Sequence, residues 1–156
     1  MLTQQFLREV GAVARCVQSL SDVKFREFEL QRGQFIFLTR ICECPGIHLL
    51  ELSNRLKVDK ATTTKAVQKL LAEGYVHKVQ NRTDKRMYQL FPTVRAEAVY
   101  PELIAEENRY LACCFAGITK EEQALAETLL RRIRENIEAE WLEWKTGKGG
   151  ASHENS

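Results

Sequence analysis

The sequence holds little that could carry chemistry. Its three histidines, His48, His77 and His153, lie far apart with no nucleophile paired to them, and no glycine-rich phosphate loop occurs. With neither a nucleophile–base pair nor a phosphate cradle, an enzyme is not expected, and no cofactor is implied. Metal ligands are equally sparse. Cys42-x-Cys44 has His48 nearby, but a structural zinc site takes four ligands and no second Cys/His pair is spaced to complete it. The five cysteines, Cys16, Cys42, Cys44, Cys113 and Cys114, are odd in number and irregular in spacing. A chain of this size can bury a core without disulfide staples, so reduced thiols in a cytosol are the simplest reading. Cys113 and Cys114, adjacent on a helix, point in different directions and read as small core residues, while Cys16 reads as partly exposed. Also missing is any secretory opening, because Met1–Glu9 has neither a basic stretch nor an apolar one. No apolar run reaches the roughly 18 residues a membrane span needs. A cytoplasmic protein without a membrane partner is expected.

What the sequence does have is a core and an uneven charge. Its 156 residues are 44% hydrophobic, ordinary for one globular domain or one protomer of an oligomer. The formal net charge of +2 hides a division along the chain. Residues 48–95 carry ten basic side chains against four acidic ones, a net of +6, which leaves −4 for the remainder. A basic middle set against a net acidic remainder suits a face that meets a polyanion, although a solvated lysine-rich surface has the same composition.

Periodicity divides the chain into helices and one hairpin. From Thr3 to Leu20, Phe6, Val10, Val13, Val17 and Leu20 recur at spacings of four and three, which predicts a helix that buries that stripe. After a polar break at Ser21-Asp22 come Phe25, Phe28 and Leu30. The run Gln34–Ile41 then reads as a buried helix stopped by Pro45-Gly46. A short helix is predicted over Leu49–Leu56, followed by a turn at Lys57-Val58. Asp59 then caps a helix that ends at Gly74. Thr63, Val67 and Leu70 form its inward stripe, with Ala66 and Leu71 beside it. Lys60, Thr62, Thr64, Lys65, Gln68 and Lys69 face outward. Two helices joined by a three- or four-residue turn form a helix-turn-helix. The residues Tyr75–Gln80 and Met87–Phe91 favour strand, and Asn81–Arg86 between them makes a hairpin with a basic tip. A helix from about Thr93 to Phe115 carries Pro101, Gly117 closes it, and Thr119–Glu122 forms a capping box for a last helix. In that helix Leu125, Leu129, Ile133, Ile137 and Trp141 repeat every four residues. Residues 146–156 read as a flexible tail.

This order of elements resembles the MarR family over about residues 5–144. The local match is strongest in LSNRLKVDKATTTKAVQKLLAEGYVHK followed by NRTDKRMYQL. The resemblance implies a mainly α protomer over residues 1–145. A winged helix-turn-helix lobe with a small β-hairpin wing would occupy about 48–91, and dimerisation helices about 1–20 and 93–145. It implies a transcriptional regulator, more often a repressor, that binds double-stranded DNA at a palindromic operator as a homodimer. It further implies that a small aromatic or phenolic effector, or an oxidant acting on a thiol, relieves the binding. Lys60, Ala61, Thr62, Thr64 and Lys65 would face the major groove, with Lys69 on the same side. Arg82, Asp84, Lys85 and Arg86 would form the wing, Asp84 orienting Arg86. Gly74 matches the family's glycine between helix and strand. The chain departs from the pattern after the wing, where Phe91-Pro92-Thr93-Val94-Arg95 replaces the usual Leu-Thr-x-x-Gly. That difference touches only the junction with the next helix.

Three β-branched threonines, Thr62, Thr63 and Thr64, early in a helix lower its propensity, so contact with bases or phosphates is a better reason for them than helix stability. Phe25, Phe28, Phe35 and Phe37 can line an effector site, but they read equally well as core. From another class, the same sequence can be a winged-helix module that binds a partner protein's acidic face without specific DNA binding.

Overall fold

The computed structural model describes residues 1–151, which divide into two compact units at the Tyr110–Leu111 bond. In the first unit, α1 spans Gln5–Lys24 and a single 3-10 turn, Phe25–Phe28, follows it. Glu29 ends that turn in a left-handed conformation, and Arg32 and Gly33 adopt the same region before α2, Gln34–Glu43. The Gly33 N–H donates to Asp22 Oδ1 at 3.0 Å, so the end of α1 holds the start of α2. Helix α2 buries Phe35, Phe37, Leu38 and Ile41, and Phe25 stacks obliquely on Phe35 with ring centroids 5.3 Å apart. Of the phenylalanines read as effector site or core, Phe25, Phe35 and Phe37 are buried in the core and Phe28 packs half-buried against it.

Pro45-Gly46 stops α2 as the sequence implies. Gly46 sits at φ 90° and donates its N–H to Leu90 O at 2.8 Å. That turn lays Ile47–His48 against the hairpin as β1, which is too short for any sequence period to reveal. Helices α3, Leu49–Leu56, and α4, Lys60–Ala72, follow, and then the strands β2, Val76–Gln80, and β3, Tyr88–Pro92. The sheet is antiparallel in the order β1-β3-β2, with Ile47 opposite Leu90 and Lys78 opposite Leu90 on its other side. Ile47, Val76 and Leu90 turn inward onto Leu52, Val67 and Leu70 of the two helices, forming one apolar cluster with α2. Tyr75, fully buried, donates its hydroxyl to Phe28 O at 2.6 Å and so ties the base of the hairpin to the 3-10 turn.

The junction at which the sequence leaves the family pattern is well made. Thr93 donates its N–H to Tyr75 O and its hydroxyl to Gly74 O at 2.7 Å, and its oxygen also receives the Ala96 N–H. One threonine thus caps the next helix and fastens it to the end of α4. That helix, α5, spans Val94–Cys114 and continues through Pro101, burying Ala96, Leu103 and Tyr110 in the first unit.

In the second unit Gly117 adopts φ 77° and the capping box forms as read: Glu122 N–H to Thr119 Oγ1 at 3.1 Å, and Thr119 N–H to Glu122 Oε2 at 3.0 Å. Helix α6 spans Lys120–Ala151. It runs past Thr146, where a flexible tail is expected, and the Thr146 hydroxyl bonds back to Leu142 and Glu143. The rest of that expected tail, residues 152–156, lies outside the described residues.

Two further expectations are corrected. Helix α1 buries only Ser21, and Phe6, Val10, Val13 and Leu20 of its apolar stripe are exposed in the single chain. Periodicity reports that a face is built for burial, not what covers it. Cys113 and Cys114 are exposed rather than core. No helix among the described residues is long and apolar enough to cross a membrane.

Candidate nucleic-acid interface

The first unit presents a helix and a hairpin tip whose outward side chains are basic or hydroxylic. Helix α3 ends at Leu56, and Lys57 closes it in a left-handed conformation at φ 58°. The Ser53 hydroxyl donates to Val58 O at 2.6 Å while the Val58 N–H donates to Ser53 O, which locks the three-residue turn. Asp59 then caps α4, as its position implies, by accepting the Thr62 N–H at 2.8 Å. This bond and a second one from the Thr62 hydroxyl hold the Asp59 carboxyl below the usual carboxylate range.

Helix α4 buries Thr63, Ala66, Val67 and Leu70, the stripe read from the sequence, and this fixes its rotation on the core. Lys60, Ala61, Thr62 and Lys65 are consequently exposed and Thr64 is half-buried. Together with Gln68 these five line a shallow, open depression of about 700 Å³. Lys69, grouped with them in the sequence, is half-buried and lies outside that lining.

The wing tip is organised by two short acceptors. Asn81 Oδ1 receives the Thr83 N–H at 2.9 Å, the Thr83 hydroxyl at 2.7 Å and the Asp84 N–H at 3.3 Å. Asp84 Oδ1 receives the Arg86 N–H at 3.0 Å and Arg86 Nε at 3.3 Å. Gln80 Nε2 closes the hairpin across Lys85 O at 2.7 Å. The result is a tight loop whose Arg82, Lys85 and Arg86 side chains project into solvent, Arg86 being 92% exposed. Asn81 and Gln80 do not stand out in the sequence as site residues. A signal for Asn81 exists, since asparagine two residues before a threonine makes an Asx turn. Gln80 carries none, because its bond to Lys85 O depends on the strand register. His48 is likewise tertiary: its Nδ1 lies 3.2 Å from Tyr88 O and links β1 to the wing strand.

The cysteine features form no site. Among the described residues no group of three His, Cys, Asp or Glu side chains could hold a metal ion. Cys44 Sγ receives Arg55 Nη1 at 3.2 Å. The half-buried Cys42 thiol is pushed up to about 11, first by burial and then by the charges of Glu97 and Glu43.

Known proteins share this arrangement. The MarR family model matches residues 30–88, which include both helices of the motif and most of the wing. The uncharacterised HTH-type transcriptional regulator YybA of Bacillus subtilis is 38% identical over 90% of this chain and 94% of its own length. A MarR protein from Peptoclostridium difficile has a solved structure that superposes with a TM-score of 0.89 at 53% identity, over 93% of this chain and 95% of that one. A MarR family regulator from Listeria monocytogenes, solved in complex with a 26-mer DNA, superposes with a TM-score of 0.87 at 38% identity, over 90% and 94% of the two chains. These relatives are transcriptional regulators, not enzymes.

Proposed function

The chain belongs to the MarR family of transcriptional regulators, and from that premise we propose that it represses transcription as a homodimer bound to a roughly palindromic duplex operator. In this reading α4 enters the major groove, presenting Lys60, Ala61, Thr62, Thr64 and Lys65, and the wing lays Arg82, Lys85 and Arg86 against phosphates and the minor groove. The carrying observation is the outward face of α4. Its rotation is dictated by buried Thr63, Val67 and Leu70, so the hydroxyl and lysine side chains share one outward face. The Listeria relative bound to DNA supports the same use of the fold.

Homodimerisation is supported by the apolar residues left uncovered in each unit: Phe6, Val10 and Val13 on α1, and Leu125, Leu129 and Ile133 on α6. A second copy supplies matching surface by symmetry. Relief by a small aromatic or phenolic effector is supported by an open cavity of about 350 Å³, lined by Ala14, Val17, Gln18, Gly33, Phe35 and Ile36. Its size and largely apolar lining suit a single ring.

Fluorescence anisotropy with random duplex DNA tests the reading. Weak binding that falls steeply with added salt is expected where lysine and arginine neutralise phosphates. Absence of any salt-dependent binding would leave a winged-helix module for protein partners. Sedimentation showing a stable, folded monomer at micromolar concentration would remove the dimer.

A further inference from the structure

The three consecutive threonines of α4 occupy three different hydrogen-bonding states. Thr63 is fully buried and donates its hydroxyl to the Asp59 carbonyl at 2.9 Å, so it belongs to the helix start and cannot touch DNA. Thr64 has no hydroxyl partner among the described residues and is able to donate or accept. Thr62 is pinned at two points. Its N–H reaches Asp59 Oδ1 and its Oγ1 reaches Asp59 Oδ2, both at 2.8 Å. An ionised carboxylate only accepts, so the proton in the second bond is the threonine's own. What Thr62 has left for the depression on α4 is an oxygen lone pair and a methyl group.

We propose that Asp59 is a specificity-determining residue of this site: by holding the Thr62 hydroxyl proton it makes Thr62 an obligate acceptor, which reads a base edge carrying an amino group. The proposal rests on the reading of α4 as the recognition helix. In the major groove the donors are cytosine N4 and adenine N6, whereas guanine N7 and O6 and thymine O4 only accept. Phosphate oxygens also only accept, and at Thr62 they would meet a lone pair and the negative charge of Asp59. Thr62 is thereby excluded from backbone contact and assigned to a cytosine or adenine on the strand it faces. Asp59, although acidic and exposed beside a polyanion, serves twice: one carboxylate caps the helix and sets the polarity of its neighbour.

Asp59→Asn is the decisive variant. Asparagine caps helices about as well as aspartate, so α4 is kept. Its single side-chain oxygen accepts the Thr62 N–H, and its amide N–H then donates to Thr62 Oγ1. The hydroxyl proton is thereby turned outward. Bound sequences would be selected from a randomised duplex library with the full chain as wild type, Asp59→Asn, Thr62→Val, and the two substitutions combined. The expected result is a wild-type preference for adenine or cytosine at one position of each half-site. Asp59→Asn should move that one position toward guanine or thymine by roughly tenfold in relative preference. Thr62→Val should abolish the preference there, and Asp59→Asn should then add nothing. Removing a negative charge strengthens binding to all sequences alike, so relative enrichment is the readout rather than total affinity. Identical profiles for wild type and Asp59→Asn, with Thr62→Val altered, would overturn the role of Asp59. An unaltered Thr62→Val profile would overturn base reading by Thr62. If the wild type enriches no sequence, it is the recognition-helix reading itself that fails.

Discussion

Asp84 and Arg86 are joined twice through one oxygen: Asp84 Oδ1 accepts both the Arg86 backbone N–H, at 3.0 Å, and Arg86 Nε, at 3.3 Å. The pair is exposed, and such ion pairs add little to stability. Its consequence is directional, since the guanidinium is held by its Nε edge while the rest projects into solvent.

Asp84→Ala is therefore expected to weaken DNA binding although it removes a negative charge from a basic loop. Simple electrostatics predicts the opposite sign. Arg86→Ala should weaken binding to all sequences and make the salt dependence shallower, by about one log–log unit for each phosphate that Arg86 neutralises in a protomer. Anisotropy titrations over a range of salt measure both. Tighter binding by Asp84→Ala, with an unchanged slope for Arg86→Ala, would show that the wing does not work this way.

Filling the cavity between α1 and α2 separates effector binding from DNA binding. Val17→Trp places a ring in a space of about 350 Å³ bordered by Phe35 and Gly33. A thermal-shift response of the wild type to phenolic compounds is expected to disappear in this variant while affinity for random duplex stays within about twofold. A variant that still responds would locate the effector elsewhere.

Tyr75→Phe tests the tie between hairpin and 3-10 turn. It deletes the 2.6 Å bond to Phe28 O and leaves that carbonyl without its buried donor. A loss of about 1–2 kcal/mol is expected, a fall in Tm of roughly 3–6 °C. Calorimetry showing an unchanged Tm would mean that water replaces the hydroxyl at no cost.

Cys42 should be chemically quiet. Burial and the neighbouring Glu97 and Glu43 raise its thiol from 9.0 to about 11, so the reactive thiolate gains population only as pH approaches that value. In the native protein, alkylation at Cys42 should be slow at pH 8–9 and accelerate above about pH 10; in the unfolded chain the same rise should come near pH 9. The raised thiol also withdraws stability as pH climbs from 9 toward 11, because the unfolded chain ionises first. Fast native labelling at pH 8, read by mass spectrometry, would contradict this.

Much of the fold was legible because its signals are local. Asp59 capping α4, Gly74 and Gly117 at positive φ, and the reciprocal Thr119–Glu122 bonds each depend on a few consecutive residues. A period of three to four marked the faces of the helices, and strand-favouring residues on either side of Asn81–Arg86 marked the hairpin. The outward set on α4 followed from the inward stripe by subtraction, and Lys60, Ala61, Thr62, Thr64 and Lys65 line one depression that Lys69 does not reach.

What local patterns could not decide is who covers a face and which way a polar group spends its hydrogen bonds. The stripe of α1 and the exposed Cys113 and Cys114 look like core in one dimension, since sequence records apolarity and not its neighbour. Strand β1 exists only because Gly46 brings Ile47 opposite Leu90, a pairing across 43 positions of chain. Thr62, Thr63 and Thr64 are one repeated letter in the sequence, yet only the tertiary structure makes them a pinned acceptor, a buried structural hydroxyl and an uncommitted rotor. The helix start at Asp59 and the packing of α4 on the core distribute those roles, because a hydroxyl's character is set by the partner it finds in space.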